Sequence, residues 1–147
     1  MTKPLILLAM FLSAFPAFAC PDLAGNYDCK SEAGPVNTFI ITKASDKDPV
    51  VYTINGTKLV ANGVPDTRHK GDGFPTTYTT TCEAQNLRAR IQTHISSPMC
   101  PTMPLAVDSL TVFTPQGKDM VMDDLTVLLC PDKAPFNIKD KSVCTRK

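Results

Sequence analysis

Apolar and polar residues alternate along most of this chain in short runs, and turn-forming residues separate the runs. A period of two is the mark of a strand with one buried face. Val50–Ile54 and Thr57–Ala61 flank Asn55-Gly56, the strongest signal for a tight type I′ hairpin. A two-residue loop there opposes Tyr52 to Leu59 and Val50 to Ala61. Val50, Tyr52, Ile54, Leu59 and Ala61 then share one face. A second hairpin runs from Tyr78–Ala84 through Gln85-Asn86 into Leu87–Ile95. That turn opposes Ala84 to Leu87, Cys82 to Ala89, Thr80 to Ile91 and Tyr78 to Thr93 on one face. Glu83 faces Arg88 on the other, as solvated cross-strand pairs do. A third joins Leu110–Pro115 through Gln116-Gly117 to Lys118–Met122, with Phe113 facing Met120 and Thr111 facing Met122.

Asp123-Asp124 interrupts this last strand, and Leu125–Leu129 resumes as a more buried one. Asn26–Lys30 and Thr38–Lys43 supply two earlier strands. The prolines are scattered so that no long helix fits between them, and the chain reads as all-β. The total is about eight strands in sequential hairpins. An antiparallel up-and-down meander of that kind closes into a small barrel, which removes its edges. A sandwich or a half-open sheet of the same strands is the alternative.

Residues 1–19 stand apart from this pattern. Lys3, the apolar run Leu5–Leu12 and the small-x-small triplet Ala17-Phe18-Ala19 make a secretory signal peptide. The run is too short to span a membrane, and no later stretch is long enough. The expected mature chain is a single β domain, 20–147, that is secreted or periplasmic. An acylated Cys20 is the alternative. The Ala17-Phe18 pair before it departs from the usual lipoprotein signal, and acylation would leave an odd number of thiols.

Composition narrows the chemistry. Lys+Arg 15 against Asp+Glu 14 leaves no basic excess for nucleic acid. The six cysteines, Cys20, Cys29, Cys82, Cys100, Cys130 and Cys144, contain no C-x-x-C pair. In an oxidising compartment they read as three disulfides rather than a metal site. In a closed meander the first and last strands are neighbours. That favours Cys20–Cys130 across the seam, with Cys82–Cys100 and Cys29–Cys144 as the remaining pairs.

The opening Cys20-Pro21-Asp22-Leu23-Ala24-Gly25-Asn26-Tyr27 resembles that of the calycins, the lipocalins and avidins, whose first strand carries Gly-x-Trp. Here Tyr27 stands in the tryptophan position. The resemblance implies a lipocalin-like barrel, with a cation, Lys139 or Arg146, packed across the first-strand aromatic. The chain has no Trp, so the tryptophans of an avidin biotin site are missing and biotin is not implied.

No nucleophile–base pair, phosphate loop or zinc signature occurs, so catalysis is not expected and no cofactor or metal is called for. His69 lies in a polar loop and His94 at a strand end. Asp119, Asp123 and Asp124 lack calcium-loop spacing. Asn55-Gly56-Thr57 is a formal glycosylation sequon that the hairpin turn already explains. The chain is therefore expected to be a binding module, with Tyr52, Tyr78, Ile91, Phe113, Met120 and Met122 lining an interior for a small apolar molecule. The same residues equally suit a solid core. The alternative is a protein–protein module, such as a protease inhibitor, that uses the proline-braced loop Pro98–Leu105.

Overall fold

A computed structural model describes residues 20–32, 34–45, 47–69, 71 and 73–147. The expected signal peptide, 1–19, lies outside the described residues. The strands are β1 (Gly25–Ser31), β2 (Val36–Ser45), β3 (Val51–Ile54), β4 (Thr57–Val60), β5 (Asp66–Arg68), β6 (Thr76–Glu83), β7 (Asn86–Ile95), β8 (Leu105–Gln116), β9 (Asp119–Leu129) and β10 (Phe136–Arg146). They form one antiparallel sheet in the order β4-β3-β2-β1-β10-β9-β8-β7-β6-β5, curled into a half-barrel.

The all-β meander is as the alternation predicts, but ten strands replace the expected eight. The extra ones are β5, inside the Pro65–Pro75 loop, and β10, which follows Cys130. Between β4 and β5 the sheet is not laddered. Its two ends still touch there: the Gly63 N–H donates to the Thr80 carbonyl (2.9 Å), and the Arg68 guanidinium donates to the Lys58 carbonyl (2.5 Å).

The first hairpin has the expected register, with Tyr52 opposite Leu59. Asn55 and Gly56 carry the positive φ that a type I′ turn needs, 46° and 82°. The Asn55 side chain is engaged as well, accepting from the Ile40 N–H at 2.8 Å. The other two hairpins shift by two residues. In the second, Ala84 and Gln85 take the turn with positive φ, so Cys82 opposes Leu87 and Thr80 opposes Ala89. In the third, Gly117 and Lys118 make the turn, and Phe113 opposes Met122. A shift of two keeps every side chain on its face, so the pattern alone cannot see it. Glu83 and Arg88 still pair at 2.6 Å, now diagonally. Asp123-Asp124 does not interrupt β9, whose ladder to β8 runs unbroken from Asp119 to Leu129.

The core fills one end of the half-barrel. Leu23, Tyr27, Ile41, Tyr52, Ile54, Leu59, Leu87, Phe113, Met120 and Met122 meet there, with Cys29 and Cys144. Burial of each large apolar side chain contributes about 1.5–3 kcal/mol. Residues 20–24 cross this end as a stopper. The Tyr27 hydroxyl donates to the Leu23 carbonyl (3.1 Å) and the Tyr52 hydroxyl to the Pro21 carbonyl (2.5 Å). Burial raises the Tyr27 pKa, which keeps that donor protonated. Of the two cations considered for the first-strand aromatic, it is Arg146 that lies over Tyr27, 5.7 Å from the ring centroid. Gly25 makes room for it: a Cβ there would sit 2.5 Å from Arg146 Nε.

All six cysteines are paired, as Cys20–Cys82, Cys29–Cys144 and Cys100–Cys130. Only Cys29–Cys144 matches the expected connectivity. The strand that closes against β1 is β10, so Cys130, at the end of β9, is nowhere near the seam. Cys20 instead ties the stopper to β6, and Cys130 ties its loop to Cys100.

Cys29 and Cys144 are directly opposed and fully buried, whereas the Cys100–Cys130 bridge holds surface loops. Replacing Cys29 and Cys144 together with alanine should cost about 2–5 kcal/mol, and replacing Cys100 with Cys130 clearly less. Urea unfolding of the two double variants checks this; equal losses would contradict it.

Candidate functional site

The registers place the core-facing residues of β6–β10 in rungs. The last core rung is Cys82, Leu87, Phe113, Met122 and Ser142. The next is Thr80, Ala89, Thr111, Asp124 and Asp140, a polar layer on top of the core. Beyond it come Tyr78, Ile91, Ser109, Thr126 and Ile138, where Ser109 and Thr126 share a hydrogen bond of 2.9 Å.

Tyr52, Phe113, Met120 and Met122, expected to line a ligand space, are buried in the core. Tyr78 packs against that core with the Arg68 guanidinium 4.7 Å above its ring, and Ile91 is half-buried beside it. None of these six lines any of the hollows described here.

The hollows lie on the opposite face and at the far end of the sheet. Two shallow ones, about 340 and 460 Å³, share the floor residues Leu110 and Leu125. Ion pairs occupy their rims. Arg88 meets Glu83, and Arg90 clamps Asp108 through two nitrogens, Nε at 2.8 Å. Those hydrogen bonds hold the Asp108 carboxyl below the usual range. Such exposed pairs mutually satisfy their charges and are worth little to stability.

The third hollow has a different character. The rung His94–Ala106–Leu129 forms its floor. Phe74 and Pro75 make one wall, Met103 and Pro104 a second, and Cys130 and Pro131 a third, around about 690 Å³. Phe74 rests against His94 with ring centroids 6.0 Å apart. Among the described residues, His94 is the one ionisable side chain in the lining.

The walls are braced. Cys100–Cys130 joins two of the loops, and Lys133 Nζ donates to the Met99 carbonyl at 2.7 Å. The Cys100 N–H donates to the Ser97 carbonyl at 3.0 Å. Prolines 98, 101, 104 and 131 fix the backbone between these ties. Phe74, Met103 and Leu129 are 40%, 54% and 40% exposed, so large apolar surface faces water on a pre-formed frame. Sequence reasoning singled out Pro98–Leu105 but not Phe74 or Leu129. Those two reach the hollow only through the β6 and β9 registers, which no local pattern displays.

Among the described residues there is no group of metal ligands and no helix long and apolar enough to cross a membrane. No family model, curated protein or solved structure matches this chain.

The burial of Asp124 has a consequence for stability. Burial holds its carboxyl above the usual carboxylate range; the Thr111 hydroxyl bond opposes this, and Asp140 and Asp123 add to it. A raised folded-state pKa means the folded chain binds that proton more tightly than the unfolded one. Stability should therefore fall as pH rises from the ordinary value of 3.8 through the raised one, and stay lowered above it. Asp124→Asn keeps an acceptor for Thr111 and removes the charge. It should raise the urea midpoint near neutral pH and give no gain at pH well below 3.8; a gain equal at both would contradict the assignment.

Proposed function

We propose that this chain is an exported binding module that works through the braced hollow at the open end of its sheet, not through the barrel interior. The observation that carries the reading is the exposure of Phe74, Met103 and Leu129 around a frame tied by Cys100–Cys130. Apolar side chains clustered in water on rigid loops are what an interface presents. Rigidity lowers the ordering cost of association.

The partner in this reading is a protein that inserts an aromatic or long aliphatic side chain between Phe74 and Met103. Three disulfides accord with an oxidising compartment, secreted or periplasmic, and so does the leader read at residues 1–19. No catalytic role enters the reading. The likeness to calycins rests on Gly25-Asn26-Tyr27 with Arg146 over the ring, and bears on the barrel end only. A small apolar ligand is the second reading, favoured by a volume within the ordinary range for such pockets, about 300–1,000 Å³.

Selection of a random displayed peptide library against residues 20–147 tests the first reading. The selected peptides should share an apolar anchor and bind Met103→Asp at least about tenfold more weakly, a loss of about 1.4 kcal/mol. Peptides that bind Met103→Asp and the parent chain equally would overturn it. Native mass spectrometry of the protein from its own source examines the second reading, where a retained apolar small molecule is the expected sign.

A further inference from the structure

β10 is longer than the strand that covers it. It pairs with β9 along Phe136–Cys144, but β1 covers only Ser142–Arg146. Residues 136–141 therefore have a ladder on one side and, among the described residues, no strand on the other.

Alternation identifies which backbone groups face that open side. At the far end of β10, the Lys147 N–H goes to the Asn26 carbonyl of β1, while the Arg146 N–H turns to Asp119 of β9. Successive residues of a strand turn to opposite sides. Asn137, Lys139 and Lys141 thus present N–H and C=O to the open edge. The Lys141 N–H is already capped, by its neighbour's Asp140 carboxylate at 2.9 Å. Asn137 and Lys139 remain. On the core-facing side of the same stretch, Phe136 and Ile138 are 55% and 45% exposed.

From this edge we infer a homodimer: the β10 edge of a second copy pairs antiparallel with residues 136–141, about a two-fold axis at Ile138. Three observations select the occupant and the register. Rotation about an axis normal to the sheet preserves the faces, so the axis must pass through a residue. At Asn137, the axis would set Lys139 against Pro135, which has no N–H to give. At Lys139, it would set the two Lys139 ammonium groups against each other.

At Ile138, it sets Asn137 against Lys139 twice over, matching the two residues whose groups are open. Each such pair exchanges two backbone hydrogen bonds. Ile138 then meets its own copy at the axis, where opposed side chains come closest, with Phe136 diagonal to it. Pro135 falls opposite Lys141 in this register, where the Lys141 N–H is already capped, and Asn137 faces Lys139 in neither neighbouring register. This contact is separate from the braced hollow, which lies on the other face of the sheet.

Six residues of edge make a small interface, so the dimer is concentration-dependent rather than obligate. Sedimentation equilibrium of the disulfide-intact chain 20–147 tests it. The mass should rise from one chain toward two as concentration increases.

Lys139→Pro removes an open-edge N–H without taking a bond from the β9 ladder, and Ile138→Lys sets two ammonium groups at the axis. Both variants should stay monomeric over the same range, with a dilute-solution melting temperature near that of the parent and no free thiols. Phe74→Ser, in the hollow, should leave the association unchanged. A parent chain that is monomeric throughout overturns the inference, and so does a dimer that survives both β10 variants. Loss of the dimer in Phe74→Ser alone would move the interface to the hollow and overturn it equally.

Discussion

The pairing of the first strand with the last holds this molecule together. In the order of the sheet, β1–β4 and β5–β10 are two separate meanders, and the ladder between Tyr27–Ser31 and Ser142–Arg146 is the one strand pairing that joins them. At its centre Cys29 faces Cys144, both buried. The sheet curls from this seam, and its two outer edges, β4 on one side and β5–β6 on the other, meet. Gly63 and Arg68 then reach across by hydrogen bonds instead of a ladder. The residues that close the seam are more than a hundred positions apart, so the chain loses much entropy in joining them. A buried covalent link offsets that loss by restricting the unfolded chain.

What followed from local pattern was legible, and what followed from the seam was not. Asn55-Gly56 announces its own turn, and Tyr52 stands opposite Leu59 as the arithmetic requires. The apolar face of each hairpin was correct even where the register was off by two, because period two fixes a face and not a partner. The turns that misled are Ala84-Gln85 and Gly117-Lys118. Positive φ at Ala84 and Gln85 is unusual for these residue types, so neither residue announces the turn.

β10 is illegible in the sequence for a related reason. Its first half, Phe136–Lys141, mixes apolar and charged residues without a buried face, since all of it is exposed. Without β10 the pattern puts the seam on the wrong strand, and with it the partners of Cys20 and Cys130. The hollow was half legible. Proline spacing and Cys100 marked one wall, but the other walls come from residues about 25 to 30 positions away on either side.

The same seam explains why the open end is the one left for function. The stopper at residues 20–24, Arg146 over Tyr27 and the buried Cys29–Cys144 bridge consume the closed end. Its buried side chains hold the two meanders together. The strands β6–β10 continue past that core for several residues more, and there they owe nothing to the seam. Their face can carry exposed Phe74, Met103 and Leu129 because Cys100–Cys130 holds the loops without help from the core. The polar rung of Thr80, Thr111, Asp124 and Asp140 separates the two regions. A change in the hollow therefore has little route into the fold, which is the condition under which a binding surface is free to vary.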